Sequence, residues 1–96
     1  MGSWSSGGNL NTARRALAGA GTQSAGLSFG GYGSAVSDVT EEYDGSSWAA
    51  GGDLNTARYY LAGAGTQTAG LSFGGYGSAV SDVTEEYAAD VTDSAT

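Results

Sequence analysis

All the basic side chains of this 96-residue sequence are three arginines at one point of a repeated pattern. Arg14 and Arg58 each follow Leu-Asn-Thr-Ala, and Arg15 comes directly after Arg14. Guanidinium groups bind carboxylate, sulfate or phosphate through paired hydrogen bonds, so converging arginines predict an anion site. The alternative is that each arginine pairs with a nearby carboxylate and holds strands in place. The acidic side chains available for such pairing are Asp38, Glu41, Glu42, Asp82, Glu85 and Glu86.

The paired glutamates Glu41-Glu42 and Glu85-Glu86 raise the question of acid and base catalysis. That chemistry needs two carboxyl groups at a set separation across a cleft, whereas adjacent residues of a strand point to opposite faces. The absence of Cys and His excludes thiol nucleophiles, Ser-His-Asp triads and the common zinc sites. No acidic loop has calcium-binding spacing. We therefore expect no enzyme, no catalytic residue, no metal and no cofactor.

A pair of aromatic residues, Tyr59-Tyr60, stands in the second half where the first half has Arg15 and Ala16. Two interpretations stay open for this pair. The rings form an aromatic contact site on which a sugar could stack, or they fill a gap between two unlike structural units.

A tandem repeat decides which elements position these residues. Residues 9–43 match residues 53–87 at 31 of 35 positions, a shift of 44. Trp4 and Trp48 extend the match towards the amino terminus. The four differing pairs are Asn9/Asp53, Arg15/Tyr59, Ala16/Tyr60 and Ser24/Thr68. A repeat of this length is typical of one four-stranded propeller blade, provided that it reads as short strands.

The repeat does read as short strands. The chain has 18 glycines and no proline, and its glycine and β-branched residues disfavour helix. In the second strand, Ala25, Leu27 and Phe29 share one face, as in a half-buried strand. Asp44-Gly45 predicts a turn into a short strand around Trp48. The first three predicted strands of the first copy are residues 17–20, 22–29 and 36–43.

These landmarks resemble the kelch motif. A glycine doublet closes the second strand of each copy, as Gly30-Gly31 and Gly74-Gly75. Tyr43 follows about a dozen residues later, then Trp48, and then a Leu-x-x-x-Arg segment that enters the next copy. The chain is also similar to the glycine-rich kelch-like arrays of structural and tail proteins in marine bacteriophages, which implies a possible place in a virion.

The resemblance implies an all-β, kelch-type β-propeller built from two-blade chains, with four-stranded antiparallel blades and strand exchange at the chain ends. By that resemblance, Arg14, Arg15 and Arg58 would form an arginine ring near the mouth of the central channel. The expected division is an outer strand in residues 1–8 donated to a neighbouring copy, a first blade in 9–52, three strands of a second blade in 53–87 and a flexible tail in 88–96.

Two blades alone would leave apolar faces and sheet edges open. We therefore expect the chain to associate with itself, as a homotrimer in preference to a dimer or tetramer, because six blades suit the family best. The expected function is a non-enzymatic, self-assembling structural module. The alternative is a glycan- or anion-binding propeller module of a virion or cell surface. The residues expected to carry assembly are Trp4, Trp48, Tyr43 and Tyr87.

Charge and hydropathy exclude two classes of partner. The formal net charge of −7 disfavours a nucleic-acid-binding face or a polybasic membrane anchor. There is no apolar run of 18 residues and no charged-then-apolar leader, so we expect neither a transmembrane helix nor a signal peptide. The localisation is otherwise left open.

Overall fold

The computed structural model describes residues 2–88, which form two antiparallel β-sheets and no helix. The strands of each sheet lie side by side in chain order. The first sheet contains β1 Ala18–Thr22, β2 Ala25–Phe29, β3 Thr40–Tyr43 and β4 Trp48–Ala50. The second sheet contains β5 Ala62–Gly65, β6 Ala69–Phe73 and β7 Thr84–Ala88. The expectation of an all-β chain with antiparallel sheets is confirmed.

Both copies of the repeat fold in the same register. Leu27 of β2 lies opposite Glu42 of β3, and Leu71 of β6 lies opposite Glu86 of β7. A slip of one residue would move every side chain to the other face, so the shared register gives the two sheets matching faces. Each surface of the first sheet therefore has a copy on the second, 44 residues further along the chain.

The strand boundaries differ from the predicted ones, most clearly in the third strand. That strand begins at Thr40, because residues 33–39 form a loop folded back on the end of β2. Val36 meets Tyr32 only in an isolated bridge, and the amide of Ser37 donates to the carbonyl of Gly31 at 2.8 Å. The prediction of a continuous strand over residues 36–43 is wrong for its first half, because local turn bonds there take the place of ladder bonds.

The turn between β3 and β4 is held by the Asp44 side chain. Its Oδ1 accepts hydrogen bonds from the amides of Ser46 and Ser47, both at 2.9 Å, and Gly45 adopts a φ of 105°. These hydrogen bonds stabilise the carboxylate and lower the pKa of Asp44 below its ordinary value of 3.8. The predicted Asp-Gly turn is thus present, and it leads directly into β4.

The core lies between the two sheets, where β1 packs beside β5. Leu27 and Phe29 are each 3% exposed and point at the second sheet. The Phe29 ring lies over Gly63, where an added Cβ would be 2.8 Å from its Cε1 atom. Leu27 lies over Gly70, with the same 2.8 Å separation from a Cβ there. Glycine is required at both positions because the first sheet's side chains occupy the space of a side chain.

Backbone hydrogen bonds also join the sheets. The amide of Gly31 donates to the carbonyl of Arg58 at 2.8 Å, and the amide of Leu54 donates to that of Asp38 at 2.8 Å. Polar contacts beside the end of β2 and the beginning of β3 therefore hold the two sheets together in addition to the apolar contact.

Among residues 2–88, β7 pairs only with β6, so the outer edge of the second sheet is open. The predicted flexible tail begins at Ala88, which instead is the last residue of β7. The remainder of that tail, residues 89–96, lies outside the described residues.

Candidate functional site

Arg14 is a buried arginine whose hydrogen bonds link strands of the first sheet, an arrangement called here an arginine brace. Its Nη1 donates to the carbonyl oxygens of Gly30 at 2.6 Å and Val39 at 3.0 Å. Its Nη2 donates to Ser28 Oγ at 3.0 Å and Glu41 Oε2 at 3.1 Å. The side chains of Arg14 and Glu41 are 0% and 2% exposed, and Arg14 Nε has no hydrogen-bond partner among the described residues. The guanidinium thus joins the end of β2 to the beginning of β3.

Arg58 makes the same contacts in the second sheet, and it is fully buried between the sheets. Nη1 donates to the carbonyls of Gly74 at 2.7 Å and Val83 at 3.0 Å. Nη2 donates to Ser72 Oγ at 2.8 Å and Glu85 Oε2 at 3.1 Å. The repeated Leu-Asn-Thr-Ala-Arg sequence therefore encodes a repeated internal ion pair.

The two carboxylates of these pairs also hold the chain that enters each sheet. Glu41 accepts from the amides of Asn11 at 2.8 Å and Thr12 at 3.3 Å. Glu85 accepts from the amide of Asn55 at 2.7 Å. Because these oxygens accept from backbone amides as well as from arginine, both carboxylates are structural parts of their sheets.

The neighbouring glutamate points the other way, as strand alternation requires. Glu42 faces the second sheet and accepts a hydrogen bond from the hydroxyl of Tyr87. The same hydroxyl accepts from the amide of Gly52 at 3.3 Å. Burial, and then the hydrogen bond to Glu42, raises the pKa of Tyr87 above its ordinary value of 10.0. Glu41 and Glu42 therefore do not share one cleft.

Arg15 is the one exposed arginine of the three. Its guanidinium carbon lies 5.0 Å from the centre of the Tyr32 ring, and within residues 2–88 no carboxylate pairs with it. The pairing alternative describes the contacts of Arg14 and Arg58, whose guanidinium groups already bind carbonyl, hydroxyl and carboxylate oxygens. Anion binding by the three arginines stays a prediction, and among them Arg15 has the guanidinium that solvent reaches.

The Tyr59-Tyr60 pair belongs to a cluster of four tyrosines. The Tyr59 ring centre lies 5.3 Å from that of Tyr60 and 5.5 Å from those of Tyr32 and Tyr76. Tyr32 belongs to the first repeat, so Tyr59 fills space between the two copies. Tyr60 is 75% exposed and presents its ring to solvent. Tyr59 therefore has the contacts expected of a gap-filling residue, and the aromatic contact site stays a prediction.

One tyrosine of this cluster and one alanine of the first repeat have an unusual backbone conformation. Ala16 and Tyr60 have φ angles of 59° and 55°, a left-handed conformation that costs an L-residue about 1–2 kcal/mol. The amide of Tyr60 donates to the carbonyl of Ala16 at 2.7 Å. The conformation of Tyr60 thus accompanies a hydrogen bond between the two copies.

Of the predicted assembly residues, two pack on each other and two do not. Tyr43 and Trp48 pack together with ring centres 4.7 Å apart. Gly8 joins them, since its carbonyl accepts from Trp48 Nε1 at 3.0 Å and its amide donates to the Tyr43 hydroxyl at 3.1 Å. Trp4 is fully exposed, and no aromatic ring of the described chain packs on Tyr87.

The blade glycines Gly30-Gly31 and Gly74-Gly75 all have positive φ, between 71° and 103°. The first doublet lies against the second sheet, and a Cβ on Gly30 would be 2.8 Å from the Arg58 carbonyl oxygen. Around Gly74 the same atom would meet nothing closer than 3.8 Å. The doublets share a conformation, but only the first has a sheet packed against it.

The outer face of the second sheet is exposed where its copy on the first sheet is covered. Phe73 is 39% exposed, whereas its counterpart Phe29 is 3% exposed. Large side chains in the loop that follows β6 are exposed as well: Tyr76 at 41%, Val80 at 85% and Val83 at 37%. Singly exposed apolar residues are normal in proteins, whereas a large exposed apolar patch marks an interaction surface.

Sequence reasoning missed three contributors to these contacts. Ser28 and Ser72 complete the arginine braces, and Gln67 donates across the sheets. The serines carry a usable signal, because each lies between two large apolar residues of a strand and so faces the arginine side. Gln67 carries none, because a polar residue in a turn is ordinary.

No group of three or more metal-ligating side chains occurs within the described part of the chain. In the same residues no helix is long and apolar enough to cross a membrane. Comparison with known proteins finds no family model that matches this chain and no curated protein similar to it. The kelch resemblance therefore stays a prediction supported by the residues that carry it.

Proposed function

We propose that this protein is a non-enzymatic structural module whose activity is association with further copies of itself. The copies join into a closed β-propeller, six-bladed and trimeric in preference to four- or eight-bladed. Each junction between copies resembles the contact between the two sheets of one chain. The kelch resemblance supplies the blade number, and the contacts below support the association.

The contrast between Phe29 and Phe73 is the observation that carries the proposal. Two phenylalanines at equivalent positions of identical strands differ in exposure because one has a sheet against it and the other does not. Fully burying an exposed Phe side chain contributes about 1.5–3 kcal/mol, so covering the 39% of Phe73 that is still exposed would contribute about 1 kcal/mol. The first sheet of a second chain, packed on Phe73 as the second sheet packs on Phe29, would supply this free energy.

The open edge of β7 and the exposed Trp4 support the same conclusion. In the first sheet, Tyr43 of β3 lies opposite Trp48 of β4. Repeat equivalence places Tyr87 where Tyr43 is and Trp4 where Trp48 is. The amino-terminal segment of one copy therefore fits as the fourth strand of another copy's second sheet, and it would pair the β7 backbone that is open in the single chain.

The assembly expected from this arrangement is a ring. Each chain contributes two sheets, so closed assemblies contain an even number of blades. The unlike faces meet head to tail, and a head-to-tail contact closes into a ring when its rotation permits.

Native mass spectrometry tests the proposal. We expect a species of three times the 9.4 kDa chain mass at low micromolar concentration. A dimer or tetramer would correct the blade number and keep the association. A chain that stays single at tens of micromolar, with the β-sheet circular dichroism of a folded protein, would contradict the proposal.

A second candidate function, binding of a glycan or small anion, is favoured by the exposure of Tyr60 and Arg15. An exposed tyrosine ring offers a stacking surface for a sugar, and a guanidinium offers paired donors to an acidic group. Calorimetric titration with neutral and sulfated oligosaccharides would detect such binding. Affinity for the sulfated series that Arg15→Ala abolishes would support it, and no heat at millimolar ligand would contradict it.

A further inference from the structure

We propose that the junction between copies is a plug and a socket that repeat the internal sheet contact residue for residue, with a fixed polarity. The plug is Leu71 and Phe73 on the outer face of the second sheet. The socket is Gly19 and Gly26, on the face of the first sheet that points away from the second sheet. The occupant of each socket is the plug of a second copy of this chain. This inference rests on the proposed self-association and specifies which surfaces make it.

The internal contact supplies the template. Phe29 and Leu27 sit over Gly63 and Gly70, each within 2.8 Å of the position that a Cβ would take. The plug residues Phe73 and Leu71 are the repeat counterparts of Phe29 and Leu27, 44 residues later in the chain. The socket residues Gly19 and Gly26 are the repeat counterparts of the two contacted glycines, 44 residues earlier.

The socket is unfilled in the single chain. The atom nearest to a Cβ on Gly19 is the Leu27 carbonyl oxygen of its own sheet, at 3.2 Å. A Cβ on Gly26 would likewise meet only atoms of its own sheet and turn. Both glycines line an open groove with Ala20, Tyr43 and Trp48. The amino-terminal segment around Trp4 also lines this groove, and no side chain of the second sheet enters it.

Polar groups around the plug and socket are complementary in the same way. Inside the chain, Gln67 Nε2 donates to the carbonyls of Gly26 at 2.9 Å and Tyr43 at 2.8 Å. Its copy Gln23 is exposed and makes no side-chain hydrogen bond within residues 2–88. Across a junction, Gln23 would reach the carbonyls of the other copy's Gly70 and Tyr87. These backbone groups occupy the places of the internal acceptors.

A tyrosine and a glutamate complete the match. Inside the chain, the Tyr87 hydroxyl donates to Glu42. The copies of these residues are Tyr43 and Glu86. The Tyr43 hydroxyl accepts from Gly8 but donates to no group of the described chain, and Glu86 is exposed. A junction therefore joins a donor that lacks an acceptor to a carboxylate that faces solvent.

The polarity follows from the distribution of these groups. The plug lies on one sheet face only, and the socket lies on the opposite face of the other sheet. Pairing two plugs would place Phe73 against Phe73 and leave both Glu86 carboxylates without a tyrosine donor. The contact is therefore heterologous, and each chain has one plug and one socket.

Two variants that each disable one surface test this polarity. Phe73→Asp removes the plug, and Gly19→Leu fills the socket. Each variant alone should lose the assembled mass and remain a single chain. An equimolar mixture should form a species of twice the chain mass and nothing larger, because one working plug meets one working socket. Ser34→Leu is the matched control. Ser34 and its repeat counterpart Ser78 lie in loops and are both exposed, although only the first of the two repeats has a sheet packed against its Phe.

The outcomes separate the two proposals. A wild-type chain that stays single overturns the proposed function. A wild type that assembles, with a variant mixture that stays single, overturns only the plug and socket. Assembly by either variant alone overturns it as well. Circular dichroism checks that each variant folds, and if Gly19→Leu does not, Gln23→Glu replaces it, because this exposed residue would bring a carboxylate against carbonyl oxygens.

Discussion

The Arg14 guanidinium faces four oxygen acceptors, and its side chain has no contact with solvent. A buried charge of this kind depends on its partners, because desolvation is costly unless the charge is paired. Glu41 supplies the opposite charge and also accepts two backbone amides. The first sheet therefore depends on a residue that, in sequence, looks like half of a solvent-facing glutamate pair.

Glu41→Ala should destabilise the chain by about 3–5 kcal/mol, because it leaves a buried guanidinium without its counter-charge. Urea unfolding followed by tryptophan fluorescence measures the change. Asp53→Ala is the control, since the exposed Asp53 makes no ion pair in the described residues and should cost less than about 0.5 kcal/mol. Equal losses from both substitutions would contradict the role assigned to the Arg14–Glu41 pair.

At the scale of strands and sheets, the tandem repeat and the alternation of apolar residues predicted more of the fold than the charged residues did. The faces of β2 follow from the alternation of Leu27 and Phe29, and the Asp44-Gly45 turn follows from its composition. The prediction that the third strand begins at Val36 is wrong, because hydrogen bonds within the turn around Val36 replace hydrogen bonds to the neighbouring strand. The arginines left two readings open, because a guanidinium is equally suited to an anion and to a carboxylate of its own sheet. The sheet-to-sheet contact through glycines was not predictable, since small residues in a strand have many roles.

The contact between the sheets should weaken at alkaline pH through Tyr87. Its folded pKa is raised above 10.0, so its stabilising contribution is present below that ordinary value and is lost as pH rises through the folded pKa. An ionised Tyr87 would also carry a charge beside Glu42. Urea unfolding between about pH 9 and about pH 11 should therefore show a loss of stability that Tyr87→Phe reduces. An identical pH dependence in wild type and variant would contradict this prediction.

For the whole molecule, the difference in packing between its two tryptophans bears on the assembly. Trp48 packs on Tyr43 and donates a hydrogen bond to Gly8, whereas Trp4, at the equivalent position of the repeat, is fully exposed. Trp4→Ala should weaken association by at least about 30-fold, because it removes a large aromatic anchor from every junction. Sedimentation velocity over a dilution series measures the shift, and unchanged folding of the single chain is expected. Full assembly of the variant at low micromolar concentration would contradict strand exchange.

The seating of Phe29 on Gly63 and of Leu27 on Gly70 has a consequence for how such a sequence can drift. A side chain gained at either glycine requires a compensating loss on the other copy, so substitutions at these positions must come in pairs. The four positions where the copies already differ lie elsewhere, at residues 9, 15, 16 and 24 and their counterparts. Mutual fit at the contact would thus restrict change at Phe29, Leu27 and the two glycines more than at those four positions.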